Sequence, residues 1–441
     1  MKKIQSMSES GFLKLFFAFI AACFLIAALC MPDRAQMGTG LVAILTSTCK
    51  ISTSCFTVGG FSAAFLNMGI VAAACCLLFC IPGAKANNVS TLAFLLTVGF
   101  AGWGLNVLNT LPTVLGVCLY CLVRREKLSA NVNAMLFSTG IAPLISDLLL
   151  RYPNAESIGF NLPGALLALV VGLAIGFFLP AGLAHSPKVH KGFDLYSAAL
   201  PVGVMAFFLN AVLYKTLGVD LPAVELGDLT IASRLAVNIF CCAVFGLCVV
   251  LALALGCRPR DYWRLLTCRQ IGVSFSATFG NAAFLMNVGV YGLFILAYYN
   301  LIGVSFNAVT FGIIFCMLAC CNSGSHPGSV WPIMVGYALF SFVFSWLSGL
   351  VGGSFAYPIS AQAIAVGLCF ANGLSPISTK YGWQYGILAG GLHYLLVTSV
   401  PNLHGGYCLY NGGLTAAFIC LMLIPILERF AKTREERLAK K

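Results

Sequence analysis

The sequence predicts an all-α integral membrane protein with about 14 transmembrane segments, arranged as two inverted repeats. Three observations support this prediction. Hydrophobic residues make up 60% of the 441 residues and charged residues only 9%, whereas a soluble domain carries about 25% charged residues. The two halves of the chain also align with each other, and equivalent loops of the two halves differ in charge. We therefore exclude a soluble fold.

The duplication is clearest between residues 57–121 and 277–341, which align without gaps at a constant offset of 220 positions. The recurring residues of the first copy are Gly60, Asn67, Gly69, Asn87, Pro112 and Gly116, which match Gly280, Asn287, Gly289, Asn307, Pro332 and Gly336. Internal duplication is typical of membrane transporters. We predict a first membrane repeat over 1–220, a second over 221–428 and a basic cytoplasmic tail over 429–441.

Apolar runs recur along both copies, and most approach the roughly 20 residues that a helix needs to cross hydrocarbon. The first copy is predicted to have helices near 12–31, 60–81, 88–103, 107–123, 131–149, 161–183 and 197–215. The second is predicted to have them near 235–256, 280–299, 307–321, 330–351, 362–378, 384–400 and 410–427. Segments 131–149 and 362–378 are short and contain Gly-x-x-Pro. If these two are broken or re-entrant, 12 full crossings remain.

Positive charges predict the orientation, because Lys and Arg concentrate in cytoplasmic loops. Three basic clusters, at 124–127, 258–269 and 429–441, can all face the cytoplasm if both termini are cytoplasmic. Seven helices per copy then place equivalent loops on opposite sides. Accordingly, loop 124–130 is basic whereas its equivalent, 352–361, has no charge. Inverted repeats of this kind are typical of alternating-access carriers.

The Gly-x-x-Pro strings are the first candidates for a substrate site. Gly140 and Pro143 in the first copy correspond to Gly373 and Pro376 in the second. Proline removes a backbone donor and breaks a helix, and the freed backbone groups must face a cavity or packed protein. We predict interrupted helices facing each other across a substrate cavity. The alternative is a kink that serves only packing.

Polar side chains within apolar segments extend this candidate site. Asn67 and Asn287 are equivalent amides that need hydrogen-bond partners in hydrocarbon, and they would either bind substrate or join two helices. Asn106 and His326 occupy one equivalent position beside the break between the third and fourth helices. We predict that all four contact the solute.

Other residues are candidates for coupling or gating. Asp147 is an acid at membrane depth, which is costly and therefore a functional candidate; alternatively it is an ion-paired helix end with Arg151. His190 and Tyr196 belong to a His-x-Gly-aromatic-x-Leu-Tyr string that recurs with His404 and Tyr410. A histidine titrates near neutrality, so these residues would gate the protein or carry protons. Alternatively, they cap and anchor the following helix.

Two strings are specific enough to identify relatives: Gly-x-x-Pro at 140–143 and 373–376, and His-x-Gly-aromatic-x-Leu-Tyr at 190–196 and 404–410. Through them the chain resembles, over nearly its whole length, a bacterial family of duplicated polytopic membrane proteins described only as a domain of unknown function. The resemblance implies a bacterial inner-membrane location and no particular activity. By architecture alone, seven-plus-seven inverted repeats are similar to nucleobase and sulfate/bicarbonate carriers, whose substrate motifs are absent here.

The leading hypothesis is a secondary-active transporter of a small polar solute. A passive channel for a small neutral solute is the first alternative. An intramembrane enzyme is the second, and it is disfavoured because the acids and histidines are sparse and lie in different loops. No Gly-x-x-x-x-Gly-Lys-Ser/Thr string indicates a nucleotide site.

The expected partners are membrane lipid, the solute and a coupling H⁺ or Na⁺, and homo-oligomerisation is left open. The net charge of +12 is an orientation signal, so no nucleic acid is expected as a partner. Most of the 20 cysteines lie in apolar runs, where cysteine packs as a small residue. We therefore predict no metal site and no cofactor.

Overall fold

The computed structural model describes residues 7–48, 53–153, 159–221 and 231–439, and these residues form helices and turns without a strand. The first copy contains α1 (Glu9–Cys30), α2 (Met37–Leu45), α3 (Cys55–Phe79), α4 (Asn88–Phe100), α5 (Val107–Arg124), α6 (Val132–Ser138), α7 (Ala142–Leu150), α8 (Leu162–His190) and α9 (Ala199–Asn210). The second contains α10 (Ile231–Ala254), α11 (Pro259–Leu266), α12 (Phe275–Phe279), α13 (Asn281–Leu301), α14 (Ala308–Leu318), α15 (Pro327–Leu350), α16 (Gln362–Ala371), α17 (Ser375–Tyr381), α18 (Trp383–Val397) and α19 (Asn411–Phe430), and α20 (Arg434–Leu438) lies in the tail.

Within these ranges, ten helices are long and apolar enough to cross a membrane, with α6 and α7 counted together. The chain is thus an all-helical, multi-pass membrane protein. The other four predicted segments are also helical but are shorter or interrupted: α4, α14, the pair α16 and α17, and α18. We did not predict the short helices α2 and α11, which begin at equivalent places between the first two long helices of each copy. The predicted boundary at 220 and 221 adjoins 222–230, which lie outside the described residues.

Equivalent residues begin equivalent helices. The side chain of Asn87 accepts a hydrogen bond from Ser90 N at 3.0 Å at the start of α4, and Asn307 accepts one from Thr310 N at 3.0 Å at the start of α14. Such caps satisfy the otherwise unpaired amides of a first helical turn. The duplication therefore extends from the sequence to the way each helix begins.

A second shared device is a glycine with positive φ near the start of a long helix. Gly60 in α3 has φ 83°, and Gly280, just before α13, has φ 86°. Only glycine adopts this conformation at little steric cost. The chain therefore changes direction at the same point of both copies.

Close helix contacts within each copy depend on small residues. A Cβ at Gly116 of α5 would collide with the backbone of α8, and a Cβ at the equivalent Gly336 of α15 would collide with the backbone of α18. Without a hydrophobic driving force between helices in lipid, such close packing holds membrane helices together. Each copy therefore contains the same tightly packed helix pair.

The two copies meet through α4 and α14. Asn322, just after α14, donates to the hydroxyl of Thr91, and the thiol of Cys316 contacts the Leu96 carbonyl oxygen at 3.8 Å. Further along α4, Gly99 packs against Gly312. Contacts that advance along α4 thus retreat along α14, so the two helices are antiparallel. Leu96 and Cys316 are equivalent positions, so this contact joins the same place of both copies. Both helices are almost completely buried in protein, which explains why neither needs the length of a lipid-facing span.

Candidate functional site

Each copy binds the interrupted helix of the other. The turn at 190–196 lies against Gly373, where the Leu195 amide donates to the Gly373 carbonyl oxygen at 3.0 Å. The turn at 404–410 lies against Gly140, where the Leu409 amide donates to the Gly140 carbonyl oxygen at 2.9 Å. The two hydrogen bonds are equivalent, because each is formed by the same pair of positions with the two copies exchanged. We call these two segments the crossing turns.

The tyrosine of each crossing turn fills the space that glycine leaves free. A Cβ at Gly373 would collide with the Tyr196 ring, and a Cβ at Gly140 would collide with the Tyr410 ring. The Tyr196 hydroxyl donates to the carbonyl oxygen of Cys316 at 2.7 Å, whereas the Tyr410 hydroxyl has no partner in the described part of the chain. Both tyrosines are fully buried. They therefore act as packing anchors in this conformation, and a gating role stays a prediction.

The histidines hold the crossing turns in shape. His190 accepts a hydrogen bond through Nδ1 from the Asp194 amide at 3.3 Å, and its Nε2 lies 2.9 Å from the Ser197 hydroxyl. His404 accepts from the Cys408 amide at 3.2 Å, and its Nε2 lies 2.9 Å from Asn411 Oδ1. Burial lowers the pKa of His404 to about 4. This geometry favours the capping alternative over proton carriage.

The Gly-x-x-Pro helices are interrupted, as the sequence predicts. Short 3₁₀ turns at Thr139–Ile141 and Asn372–Leu374 separate α6 from α7 and α16 from α17. Pro143 and Pro376 lie in the first turn of α7 and α17, where a missing amide proton costs little. We expected the freed carbonyls to face a shared cavity. Instead those of Gly140 and Gly373 accept hydrogen bonds from the crossing turns, because packed protein also satisfies them.

Asn67 and Asn287 join helices within their own copies. Asn67 donates to the carbonyl oxygens of Ala101 and Leu105 at 2.8 and 2.7 Å, and Asn287 donates to the equivalent carbonyl oxygens of Cys321 and Ser325 at 2.8 and 3.0 Å. Each side chain thus donates both amide hydrogens to backbone carbonyl oxygens at the C-terminal end of α4 or α14, where a helix lacks its own donors. The geometry favours the helix-joining alternative, and solute binding by these residues stays a prediction.

Asp147 is buried and fully paired. Its carboxylate accepts from Arg151 Nε at 2.7 Å and from the Tyr214 hydroxyl at 2.5 Å. The ring of Tyr214 stacks on Tyr407, which belongs to the crossing turn of the second copy, with ring centroids 5.3 Å apart. This cluster joins the copies at one end of the molecule. It favours the ion-pair alternative for Asp147, whose coupling role stays a prediction.

The opposite end, which we call the basic face, is where the loop at 266–273, Lys380 and the tail helix α20 meet. It contains a cavity of about 240 Å³ whose lining includes Arg269, His326, Ser329, Thr379 and Arg434. The imidazole of His326 is 2% exposed, and its Nδ1 has no partner among the described residues.

The equivalent place at the Asp147 end is closed by hydrogen bonds. Asn109 and Ser146, the counterparts of Ser329 and Thr379, bond to each other at 2.9 Å. Asn106, the counterpart of His326, lies 3.4 Å from the Ile44 carbonyl oxygen. The two ends are therefore unlike: one is sealed and the other contains open space.

A second cavity at the basic face is lined by a residue that we did not predict, Asp194. It has about 400 Å³ and is lined by α4, α6, the end of α8 and the first crossing turn, including Asn133, His190 and Asp194. Asp194 is 2% exposed, and within the described ranges only one of its carboxylate oxygens has a partner: Oδ1 accepts from the Tyr196 amide at 2.8 Å. Burial raises the pKa of Asp194 to about 7. The usable signal was an acid inside a duplicated string whose other copy has Cys408.

Comparison with known proteins identifies the family. Residues 34–215 and 261–429 match the model of a family described as protein of unknown function (DUF1576). The chain belongs to the DUF1576 family. The two matched ranges fall in the two copies, which is consistent with a duplicated domain. No curated protein and no solved structure matches this DUF1576 chain.

The site of this DUF1576 protein is thus a pair of crossing turns flanked by unlike ends. In the described ranges, no group of three or more His, Cys, Asp or Glu side chains is placed to hold a metal ion. The chemistry that the arrangement can perform is hydrogen bonding and proton exchange at the basic face. The predicted site residues divide accordingly: Gly140, Gly373 and the two tyrosines meet between the copies, and His326 lines open space.

Proposed function

We propose that this protein is a secondary-active transporter of a small polar solute, with about 14 membrane segments in two inverted copies and both termini in the cytoplasm. The observation that carries the proposal is the reciprocal binding of each crossing turn to the interrupted helix of the other copy. Alternating access requires two halves that can exchange conformations about a shared centre. The equivalent hydrogen bonds from the crossing turns to Gly140 and Gly373 would form this shared centre.

The antiparallel packing of α4 and α14 supports the inverted arrangement. If these helices run across the membrane, the axis that relates them lies in the membrane plane. The unlike ends then correspond to one state of the cycle. The basic face contains both cavities described above, and the Asp147 end is sealed by Tyr214 and Tyr407, so this conformation is inward-facing.

The sealed end supports the transporter over the channel alternative. A channel needs a continuous path, whereas a carrier closes one end while the other is open. Exchange of conformation would break the stacking of Tyr214 on Tyr407 and close the space around His326. No observation favours the intramembrane enzyme, because the buried acids Asp147 and Asp194 lie at opposite ends.

Counterflow in proteoliposomes tests the proposal. Vesicles containing the purified chain would be loaded with a pool of unlabelled amino acids, nucleosides and carboxylates and then diluted into the same compounds carrying label. A carrier accumulates label transiently, whereas a channel does not. We expect accumulation of at least one compound, and its absence for every class in the pool would contradict the proposal.

Two variants make this test specific for the crossing turns. Gly373→Leu pushes Tyr196 away from the second copy and should abolish counterflow. Gly246→Leu is the matched control, because a Cβ at Gly246 meets nothing within 4 Å. Equal counterflow by both variants would show that the crossing turns are not part of the transport machinery.

A further inference from the structure

We propose that Asp194 is a proton-binding site that couples the relative position of the two copies to the proton gradient, with Asn133 as the acceptor for the bound proton. The coupling role rests on the proposed transport function, whereas proton binding does not. Asp194 lies in the first crossing turn, where the copies meet, and not in the ion-paired cluster of Asp147.

The first support is the incomplete pairing of the carboxylate. Asp194 Oδ1 accepts from the Tyr196 amide, but Oδ2 is buried and has no partner among the residues described. A buried, half-paired carboxylate is costly in its charged form. Protonation removes that charge and creates a donor at this oxygen.

The second support is an unused acceptor in the same cavity. The side-chain oxygen of Asn133, on α6, is buried and has no partner in the described ranges. Asn133 and Asp194 both line the cavity of about 400 Å³. Two residues that line one cavity thus each have a buried acceptor oxygen without a donor among the described residues. Protonation of Asp194 would create a donor for Asn133.

The third support is that no described cation forms an ion pair with the Asp194 carboxylate. Among the described residues, ion pairs join Arg151 with Asp147 and Lys191 with Glu428, so Asp194 has no paired cation. His190 uses Nδ1 to accept from the amides of Gly192 and Asp194.

Other titratable groups around the cavity also leave the carboxylate uncompensated. The thiols of Cys320, just after α14, and Cys420, on α19, interact electrostatically with Asp194. Glu126 accepts from Asn131 at the cavity rim, and Lys380 lies over the ring of Phe193, with its nitrogen 5.1 Å from the ring centroid. With burial as the main cause, the pKa of Asp194 is raised to about 7, where a site can both bind and release protons in a cell.

The position of Asp194 explains how a proton would act on the whole protein. A Cβ at Gly373 would lie 3.0 Å from Asp194 Oδ1, and the neighbouring Leu195 amide bonds to Gly373 itself. Deprotonation leaves a buried charge without a donor at Oδ2, so it favours a wider cavity that admits water. Protonated Asp194 can bond to Asn133, which draws the crossing turn towards α6 of its own copy and permits the cavity to close.

A sodium ion fits the same cavity less well. Na⁺ is a hard cation that prefers several oxygen ligands, and two unpartnered oxygens are identified here. A proton needs only one donor and one acceptor.

Infrared difference spectroscopy on the full-length protein tests proton binding without any solute. Between about pH 5 and about pH 8, a range that brackets the shifted pKa, the wild type should show a protonated-carboxyl band that titrates. Asp194→Asn should lack this band. Glu428→Gln, which removes an exposed carboxylate, should retain it. Retention of the band in Asp194→Asn would overturn the proposal.

Asn133→Leu provides an independent variant, because it removes the acceptor and leaves the carboxyl. Its band should titrate at lower pH than that of the wild type, since the protonated form loses its partner. An unchanged midpoint would exclude Asn133 as the acceptor and overturn that part of the proposal.

Thermal unfolding supplies a second measurement. The folded-state pKa of Asp194 lies above its ordinary value of 3.8, so its stabilising contribution is fully present below that value and is lost as pH rises through about 7. The melting temperature of the wild type should therefore fall across this range relative to Asp194→Asn. Replacing choline chloride with sodium chloride should not raise the wild-type melting temperature. A sodium-dependent rise that Asp194→Asn lacks would assign the site to Na⁺ and overturn the proposal. A failed counterflow assay with the band intact would contradict the transport function alone.

Discussion

At the residue scale, two asparagines show how a polar side chain becomes stable inside a membrane protein. Asn67 and Asn287 each donate both amide hydrogens to backbone carbonyls at the end of a short helix. The carbonyls would otherwise be unpaired in a region that water does not reach. One side chain therefore replaces the last hydrogen bonds of a helix.

Replacing either asparagine should destabilise the fold. Asn67→Leu and Asn287→Leu keep nearly the same volume but each removes two hydrogen bonds to buried carbonyl oxygens, at about 1–3 kcal/mol for each oxygen left unpaired. The Ala101 oxygen keeps only a 3.6 Å contact with the Cys55 thiol. We expect a clear fall in melting temperature for both variants and little change for the exposed control Leu77→Ala. Unchanged stability with lost uptake would instead support solute binding by these residues.

At the element scale, the crossing turns are chemically unequal although they are geometrically equivalent. Tyr196 uses its hydroxyl to bond a carbonyl of the second copy, whereas the Tyr410 hydroxyl has no partner among described residues. Lys380 replaces Asp147, and Phe193 replaces Tyr407. One end thus has a buried ion pair beside stacked tyrosines, and the other has a cation over the stacked rings of Phe193 and Tyr381. The two copies therefore share the backbone geometry of the crossing turns but differ in the side-chain contacts at the two ends.

The two tyrosines form a matched pair for measurement. Tyr196→Phe removes a buried hydrogen bond and leaves the Cys316 carbonyl oxygen less well satisfied, so we expect a loss of about 1–3 kcal/mol. Tyr410→Phe removes a hydroxyl without a partner and should be neutral or slightly stabilising. Denaturation of both variants under identical conditions would measure the difference. Equal losses would contradict the assigned bonds.

At the scale of the whole molecule, the unlike ends make the proposed orientation in the membrane testable. The basic face contains the cavities, and positive charge predicts that it is cytoplasmic. α1 and α3 then end on opposite sides. Each ends at an exposed cysteine: Cys30 is the last residue of α1, and Cys80 directly follows α3. These two native residues report the two faces.

Labelling of single-cysteine variants checks the orientation. In intact cells, a membrane-impermeant maleimide should react with a variant that retains only Cys30, because that helix end is predicted to be extracytoplasmic. A variant that retains only Cys80 should react only after the membrane is permeabilised. The reverse pattern would place the basic face outside and would contradict the inward-facing assignment.

The sequence predicted the helices and the duplication more completely than the site. Apolar periodicity and matching glycines depend on local environment, so segments such as 131–149 and the break at Gly140 were recognisable. The partner of each crossing turn was not, because the contact of Leu195 with Gly373 joins residues far apart in the chain. Asp194 was not predicted as a site residue, because its equivalent in the second copy is Cys408 and the duplication points only to residues that both copies share. Burial, which creates its unusual acidity, exists only after folding.

The crossing turns have a consequence for biosynthesis. The ribosome completes residues 190–196 long before it makes Gly373, so the first half of the nascent protein enters the membrane with Tyr196 uncovered and the Leu195 amide unbonded. In the same way, the Gly140 carbonyl oxygen has no donor until the crossing turn at 404–410 is made. Both contacts can therefore form only near the end of translation, and we expect neither half to be stable as a separate module. Quality-control proteases that recognise uncovered polar groups in the bilayer should remove a chain that stops after its first half.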